Sequence, residues 1–436
     1  MIANLINTNR VILSNAGTLV GTQAVTSGLG FIYWWLAARL FAVDAVGFAS
    51  AAISAMMLLG NLGILGLGTL LIGELPIHKK QAASMITTAV VTVIAAGMIL
   101  GVGFANLAPR ISADLSALGQ NFQHVMLFAA GVALTAAALV IDQAMIGLLR
   151  GDVQFVRNFL FALVKLLALL AAGLWFARQQ GLDIYATWAV GNLVSLGLLV
   201  GWALVKGGPV KNFKPQWGWL RHISKSALAH HALNIALQAP ALILPLVVTI
   251  QLSVEKNAYF YTAWMIAGFV FVGPIALTTV LYAVGSADPS ALGQKVRTTL
   301  KFSFGYGIAA VFFLYLAGFQ ILQLFGTAYA QEAAQSLRIL VIAVFPLAIR
   351  IHFVAIYRVY QRMARAALWI AVCGIFEIVI AFFGAAYGGL PGLCAGWVLA
   401  VSIEALFFLP TVYRTAKTIT VPEWQSGSEK NAPLAN

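Results

Sequence analysis

The chain has 436 residues, of which 61% are hydrophobic and only 9% charged, and its mean hydropathy is +0.92. So little polar side chain cannot cover a water-facing surface, which excludes a soluble enzyme and makes lipid the solvent. A net charge of +13 would read as a nucleic-acid footprint in a soluble protein, but here it must be read by position, because membrane proteins gather Lys and Arg on the cytoplasmic side.

A spanning helix needs about 20 mainly apolar residues. Dividing the chain where charge, Pro and Gly cluster predicts twelve such runs, near 11–37, 46–73, 82–106, 121–148, 155–177, 184–205, 226–250, 258–283, 302–325, 335–358, 366–386 and 389–413. The opening MIANLINTNR has no convincing small-residue cleavage site after it, so the first helix is expected to be retained. With the N-terminus inside, only Arg39, Arg110, Arg178, Lys256 and Arg338 fall outside, Lys165 and Arg350 fall within spans, and every other Lys and Arg is cytoplasmic. That asymmetry supports an all-α polytopic membrane protein of about twelve transmembrane helices, with both termini cytoplasmic. It leaves no role for nucleic acid.

The basic, aromatic stretch 206–225, KGGPVKNFKPQWGWLRHISK, divides the chain into two sets of six spans. The expected domains are an N-terminal six-helix bundle (1–205), this linker lying at the headgroup level, a C-terminal six-helix bundle (226–417) and a disordered cytoplasmic tail (418–436). The halves resemble each other at an offset of 211: Val43 and Asp44 fall on Val254 and Glu255, and the basic turn at 148–158 falls on 359–369. Six spans per half keep both halves in one orientation, so the repeat is expected to be parallel, with its pseudo-twofold along the membrane normal and a cavity between the bundles.

Neither a metalloprotease helix nor a phosphate loop nor a nucleophile elbow is present, and no catalytic residue or metal site is assigned. Cys373 and Cys394 have no ligand or redox spacing and read as small core residues. Charges inside spans are the better candidates, because a charge in hydrocarbon costs at least ~2.5–3.5 kcal/mol unless it faces protein or water. Five are deep: Asp142, Lys165, Arg350, Glu377 and Glu404. Lys165 and Arg350, one from each half, lie roughly 12–15 Å from their cytoplasmic helix ends, near the midplane. Facing a common cavity they would hold a phosphate or diphosphate, with Arg350 as a fork and Lys165 as a point charge. The alternative is that Lys165 pairs with Asp142 and Arg350 with Glu377 and that both pairs only join helices. Asp142 and Glu377 are also candidates for coupling to Na⁺ or H⁺. Helix 1 carries a polar stripe that includes Asn15, Thr22 and Tyr33, and helix 7 carries His231, Asn234 and Gln238 at i, i+3 and i+7. These are candidate sugar partners, or else interhelical hydrogen-bond partners. Pro240, Pro245, Pro274 and Pro346 are candidate hinges.

The segment FIYWWLAARLFAVDAVGFASAAISAMMLLGNLGILGLGTLLIGELP (31–76) resembles the opening of the polysaccharide-exporter family. The resemblance is carried by the aromatic helix end, A-A-R-L-F, Asp44 and Gly47, Ile53-Ser54 and L-G-L-G-T. Family members often have Arg just after the L-G-L-G segment, where this chain has Gly73, Glu74 and Pro76. The family includes O-antigen flippases and belongs to the multidrug/oligosaccharidyl-lipid/polysaccharide superfamily. The resemblance implies a V-shaped pair of bundles in the bacterial inner membrane, moving polyprenyl-diphosphate-linked oligosaccharide for lipopolysaccharide or exopolysaccharide synthesis. No cofactor is implied; the expected partners are membrane lipid, the lipid-linked glycan and polysaccharide polymerase machinery, and the expected state is a monomer. The rival readings are a cation-coupled multidrug exporter of the same superfamily and a membrane-embedded glycosyl or acyl transferase.

Overall fold

The computed structural model describes residues 25–175, 180–205, 214–222, 225–288 and 292–417. Asn15, Thr22 and the 418–436 tail lie outside them. The described residues are helical, without a strand: α1 (25–40), α2 (Val43–Gly63), α3 (Leu67–Glu74), α4 (Ala82–Ile111), α5 (Phe122–Gly147), α6 (Gly151–Trp175), α7 (Gly181–Val205), α8 (Lys225–Gln251), α9 (Val254–Ala287), α10 (Leu292–Phe325), α11 (Thr327–Val341), α12 (Val344–Val359) and α13 (Met363–Lys417). Nine of these are long and apolar enough to cross a membrane, and α11 with α12 forms one further span bent by 45°. Helix α13 is broken at Gly388 and Gly389, where φ turns positive at Gly389 (57°), so it supplies two spans. With α1, the described part of the first span, the total is the expected twelve.

The second span ends in a break rather than running straight to residue 73. Leu65 and Gly66 both take positive φ (54° and 79°), a region that suits glycine and strains leucine. The chain restarts as α3 directly after it. Large side chains such as Ile99, Leu174, Phe312 and Leu406 are exposed, as expected of helices whose outer faces meet acyl chains. Close interhelical contacts are made by small residues instead: Gly97 and Gly101 of α4 lie against the backbone of Ala133 and Ala129 on α5.

Chain reversals repeat between the halves. Phe41 N donates to Ala37 O and Val46 N to Ala42 O, and 211 residues on Leu252 N donates to Val248 O and Asn257 N to Ser253 O. At the other end of the spans, the turn at 148–150 closes with Arg150 N donating to Met145 O and Leu149 at φ 55°. Residues 360–362 do the same, with Arg362 N donating to Tyr357 O and Gln361 at φ 55°, now 212 residues on.

The chain forms two compact units, Met1–Thr262 with Leu322–Ala333, and Ala263–Ile321 with Ala334–Asn436. Helices α9, α10 and α11 are thus each divided between units. This packing boundary is a different quantity from the division at 206–225, which follows charge and hydropathy. The described part of that linker is held by specific contacts. Ser84 Oγ donates to Lys214 O, Gln216 N donates to Thr88 Oγ1 (2.8 Å), and the Trp219 ring meets His78 edge-on at 4.9 Å. Trp219 and Leu220 pack on the apolar cluster shared by α3, α4 and α5, whereas Trp217 is exposed.

Candidate functional site

Lys165 lies midway along α6, one turn after Phe161, and is 5% exposed. Its ammonium sits over three aromatic rings: Trp188 at 3.8 Å, Phe161 at 4.7 Å and Tyr33 at 5.0 Å. The fully buried Tyr33 is held by its hydroxyl, which is 2.7 Å from Thr187 Oγ1 and 3.1 Å from Ile184 O. Each ring face offers a desolvated cation an attraction of about 0.5–2 kcal/mol, so this cage stabilises the charge without neutralising it. No salt bridge to Lys165 occurs among the described residues.

Asp142, the partner considered for Lys165, is engaged elsewhere. Arg157 grips it with two hydrogen bonds, Nε to Oδ1 at 2.8 Å and Nη2 to Oδ2 at 2.6 Å, and Asn158 Nδ2 adds contacts at 3.2 and 3.1 Å. Arg157 counted as a loop charge in the sequence. The structure instead buries it, 4% exposed, near the start of α6.

In the other unit, Arg350 of α12 is 7% exposed and faces two carboxylates of α13. Nη1 lies 2.5 Å from Glu377 Oε1 and 3.5 Å from Glu404 Oε2. Trp397 Nε1 donates to the second Glu377 oxygen at 2.6 Å, its ring held by Trp264 at 4.6 Å. Arg350 Nε and Glu404 Oε1 are buried without a hydrogen-bond partner. One guanidinium against two carboxylates leaves the cluster one negative charge in excess when both are ionised. Arg350 therefore has its charge already matched, and Lys165 does not. The two predicted diphosphate ligands stand in opposite electrostatic surroundings.

Of the helix 7 stripe, Asn234 lines a cavity of about 590 Å³ with Thr69, Glu74, Gln143 and His230. His231 is half-buried with Nε2 unpartnered. Gln238 is exposed and donates to Asn234 O at 3.3 Å. The cavity is bounded by α3, α5 and α8 within the first unit. Its amides, hydroxyl and imidazole can both donate and accept, which suits neutral hydroxyl-rich groups. Thr69 and Gln143 lay in apolar runs and carried no sequence signal beyond polarity; Glu404 was visible as a deep charge, but its pairing with Arg350 was not.

No family model matches the chain, and no curated protein does. Among solved structures, an inward-facing conformation of a multidrug resistance MATE family transporter of the MOP superfamily is 17% identical, with a TM-score of 0.67, covering 90% of this chain and 95% of that one. An outward-facing conformation of such a transporter is 16% identical, with a TM-score of 0.61, over 93% and 96%. A MOP superfamily transporter from Pyrococcus furiosus, described by a reverse polarity of its binding pocket that suggests a different function, is 15% identical, with a TM-score of 0.60, over 94% and 96%. The fold is that of the MATE transporters. In this MATE-like chain the fold comes from the whole length, and the chemistry must be argued from the charges just described.

Proposed function

We propose that the chain is a flippase that moves a polyprenyl-diphosphate-linked oligosaccharide, the repeat unit of an O-antigen or exopolysaccharide, across the bacterial inner membrane by alternating access. The observation that carries this reading is Lys165: a buried ammonium whose surroundings are aromatic rather than anionic. Such a cation is available to a diphosphate, which would replace cation–π contacts with a charge-assisted pair. The polar cavity lined by Thr69, Gln143, His230 and Asn234 is the matching site for sugar hydroxyls, with His231 and Gln238 as neighbours on α8, while Tyr33 stands beside Lys165. Arg350, matched by its carboxylates, is assigned to coupling rather than to cargo. Glu377 with Glu404 would take up the H⁺ or Na⁺ that the cluster's excess negative charge attracts, and Asp142 is the weaker candidate because Arg157 satisfies both its oxygens. No catalytic step is assigned to any residue.

The same excess negative charge favours a second reading, export of lipophilic cations in exchange for H⁺ or Na⁺. Purified protein reconstituted into liposomes separates the two. A fluorescent polyprenyl-diphosphate oligosaccharide is expected to change leaflets in a protein-dependent way, and Lys165→Ala is expected to slow it by about tenfold or more, the loss of a charge-assisted contact. Transport of a lipophilic cation dye that depends on Glu404, with no movement of the lipid-linked glycan under any ion gradient, would establish the exporter reading instead.

A further inference from the structure

At the end of the molecule where α1 turns into α2, the chain is closed by contacts of one chemical kind. Gly47, in the first turn of α2, lies so near the first turn of α9 that a Cβ would overlap the Val254 carbonyl oxygen. Backbone therefore meets backbone with no side chain between. Asn257, fully buried on α9, donates through Nδ2 to Gly47 O at 2.8 Å and to Ser50 Oγ at 3.0 Å. Val254 N, one of the unsatisfied donors at the start of α9, donates to Asp114 Oδ2 at 3.3 Å.

A second group of contacts ties α1 to the end of α10. Trp35 Nε1 and Arg39 Nε donate to Leu324 O at 2.8 and 2.7 Å, and Arg39 Nη2 reaches Gln323 O at 3.4 Å. These carbonyls belong to the last turn of α10, which stops before Gly326 (φ 146°); Gln323 O also accepts from Gly326 N at 3.1 Å, while a carbonyl this close to a helix end lacks the donor one turn on. A guanidinium there also complements the negative end of the helix dipole. Lys256 and Glu332 add an exposed ion pair at 2.6 Å. Beneath these polar contacts two ring pairs complete the seal, Phe31 on Phe325 (5.3 Å) and Trp34 on Tyr261 (4.6 Å).

Every polar partner in this set is a group that water can replace: a carbonyl, a hydroxyl, a carboxylate or a peptide N–H. Such contacts hold a closed arrangement without making it permanent, because each exchanges for hydration at a small net cost. The opposite end of the same unit carries the polar cavity between α3, α5 and α8 instead. We propose that Arg39, Trp35 and Asn257 form a releasable latch that keeps the α1–α2 end shut, and that this end opens when α1 lets go of the α10 carbonyls and α9 lets go of Gly47. Arg39 thus acts on the α10 terminus, while Asp44 lines a cavity with Asp114, His124 and Val254.

The test needs no substrate. In a Cys373→Ser/Cys394→Ser background, Ser54→Cys places a reporter at a buried site on α2 below Gly47 (3% exposed). A membrane-impermeant maleimide is applied to intact cells and, separately, to inverted vesicles. Labelling from the α1–α2 side is expected to be slow with the latch intact and about tenfold faster with Arg39→Ala/Asn257→Ala, since two such contacts bias a two-state equilibrium by that order. Ser195→Cys, fully buried on α7, is the control for general loosening and is expected to keep its rate. Unchanged labelling of Ser54→Cys in the double variant overturns the latch, and so does an equal acceleration of Ser195→Cys.

Discussion

Deleting one member of a buried ion pair leaves the other charged in surroundings that cannot hydrate it, which typically costs about 3–5 kcal/mol. Arg350→Met strands two carboxylates, and it is expected to lower stability by that order, read as a large drop in the thermal unfolding midpoint of the detergent-purified protein. Lys165→Met keeps the apolar stem inside its aromatic cage and loses about 0.5–2 kcal/mol of cation–π attraction, so it should unfold near the wild-type temperature. A Lys165→Met variant as unstable as Arg350→Met would mean that the lysine holds helices together and would remove it from the cargo site. The depth of both cations was legible in the sequence, because hydropathy runs give position along a helix. Their partners were not, because the rotation of one span against the next leaves no trace in hydropathy. Arg157 shows this well: counting loops placed it in the cytoplasm, yet it enters α6 two turns before Lys165 and takes Asp142 away from it.

At the scale of elements, the break between α2 and α3 is a glycine-dependent feature. Gly66 at φ 79° lies 3.3 Å, as measured from a Cβ built there, from Leu228 of α8, so a branched side chain meets both backbone strain and a neighbour. Gly66→Val is expected to cost about 1–3 kcal/mol, seen as a lower unfolding midpoint, while Gly73→Ala, at an open position, is expected to leave it unchanged. The L-G-L-G run carries the family resemblance in the sequence, but the apolar run through it predicts one continuous span and gives no sign of a stop. The tenth span was less legible. Its apolar run predicts a start near 335, whereas α11 begins at Thr327, because TAYAQEAAQS is too polar to register as a span yet is helical and packs against neighbouring rings through Tyr329. Pro240 and Pro245 sit inside an unbroken α8. There Thr249 Oγ1 donates to Pro245 O at 2.9 Å, a hydroxyl back-bond to the carbonyl one turn earlier.

For the molecule as a whole, the loop charges predict an orientation that can be checked directly. Single cysteines at Lys80 and Trp217, in the background without native cysteines, are expected to react with an impermeant maleimide only in inverted vesicles, and one at Gln120 only in intact cells. The reverse pattern would overturn the charge-based topology. The number of spans was legible because lipid forces every span to about 20 apolar residues; the packing that divides α9, α10 and α11 between two units was not. The repeated turns at 148–150 and 360–362 carry a last consequence. Carrying their 212-residue spacing forward into the helices that follow brings Lys165 into register with Glu377. One corresponding position thus holds a cation in the first half and an anion in the second. Two identical halves would have to present the same sign twice; two halves of different sequence are free to place charges of opposite sign at the corresponding position.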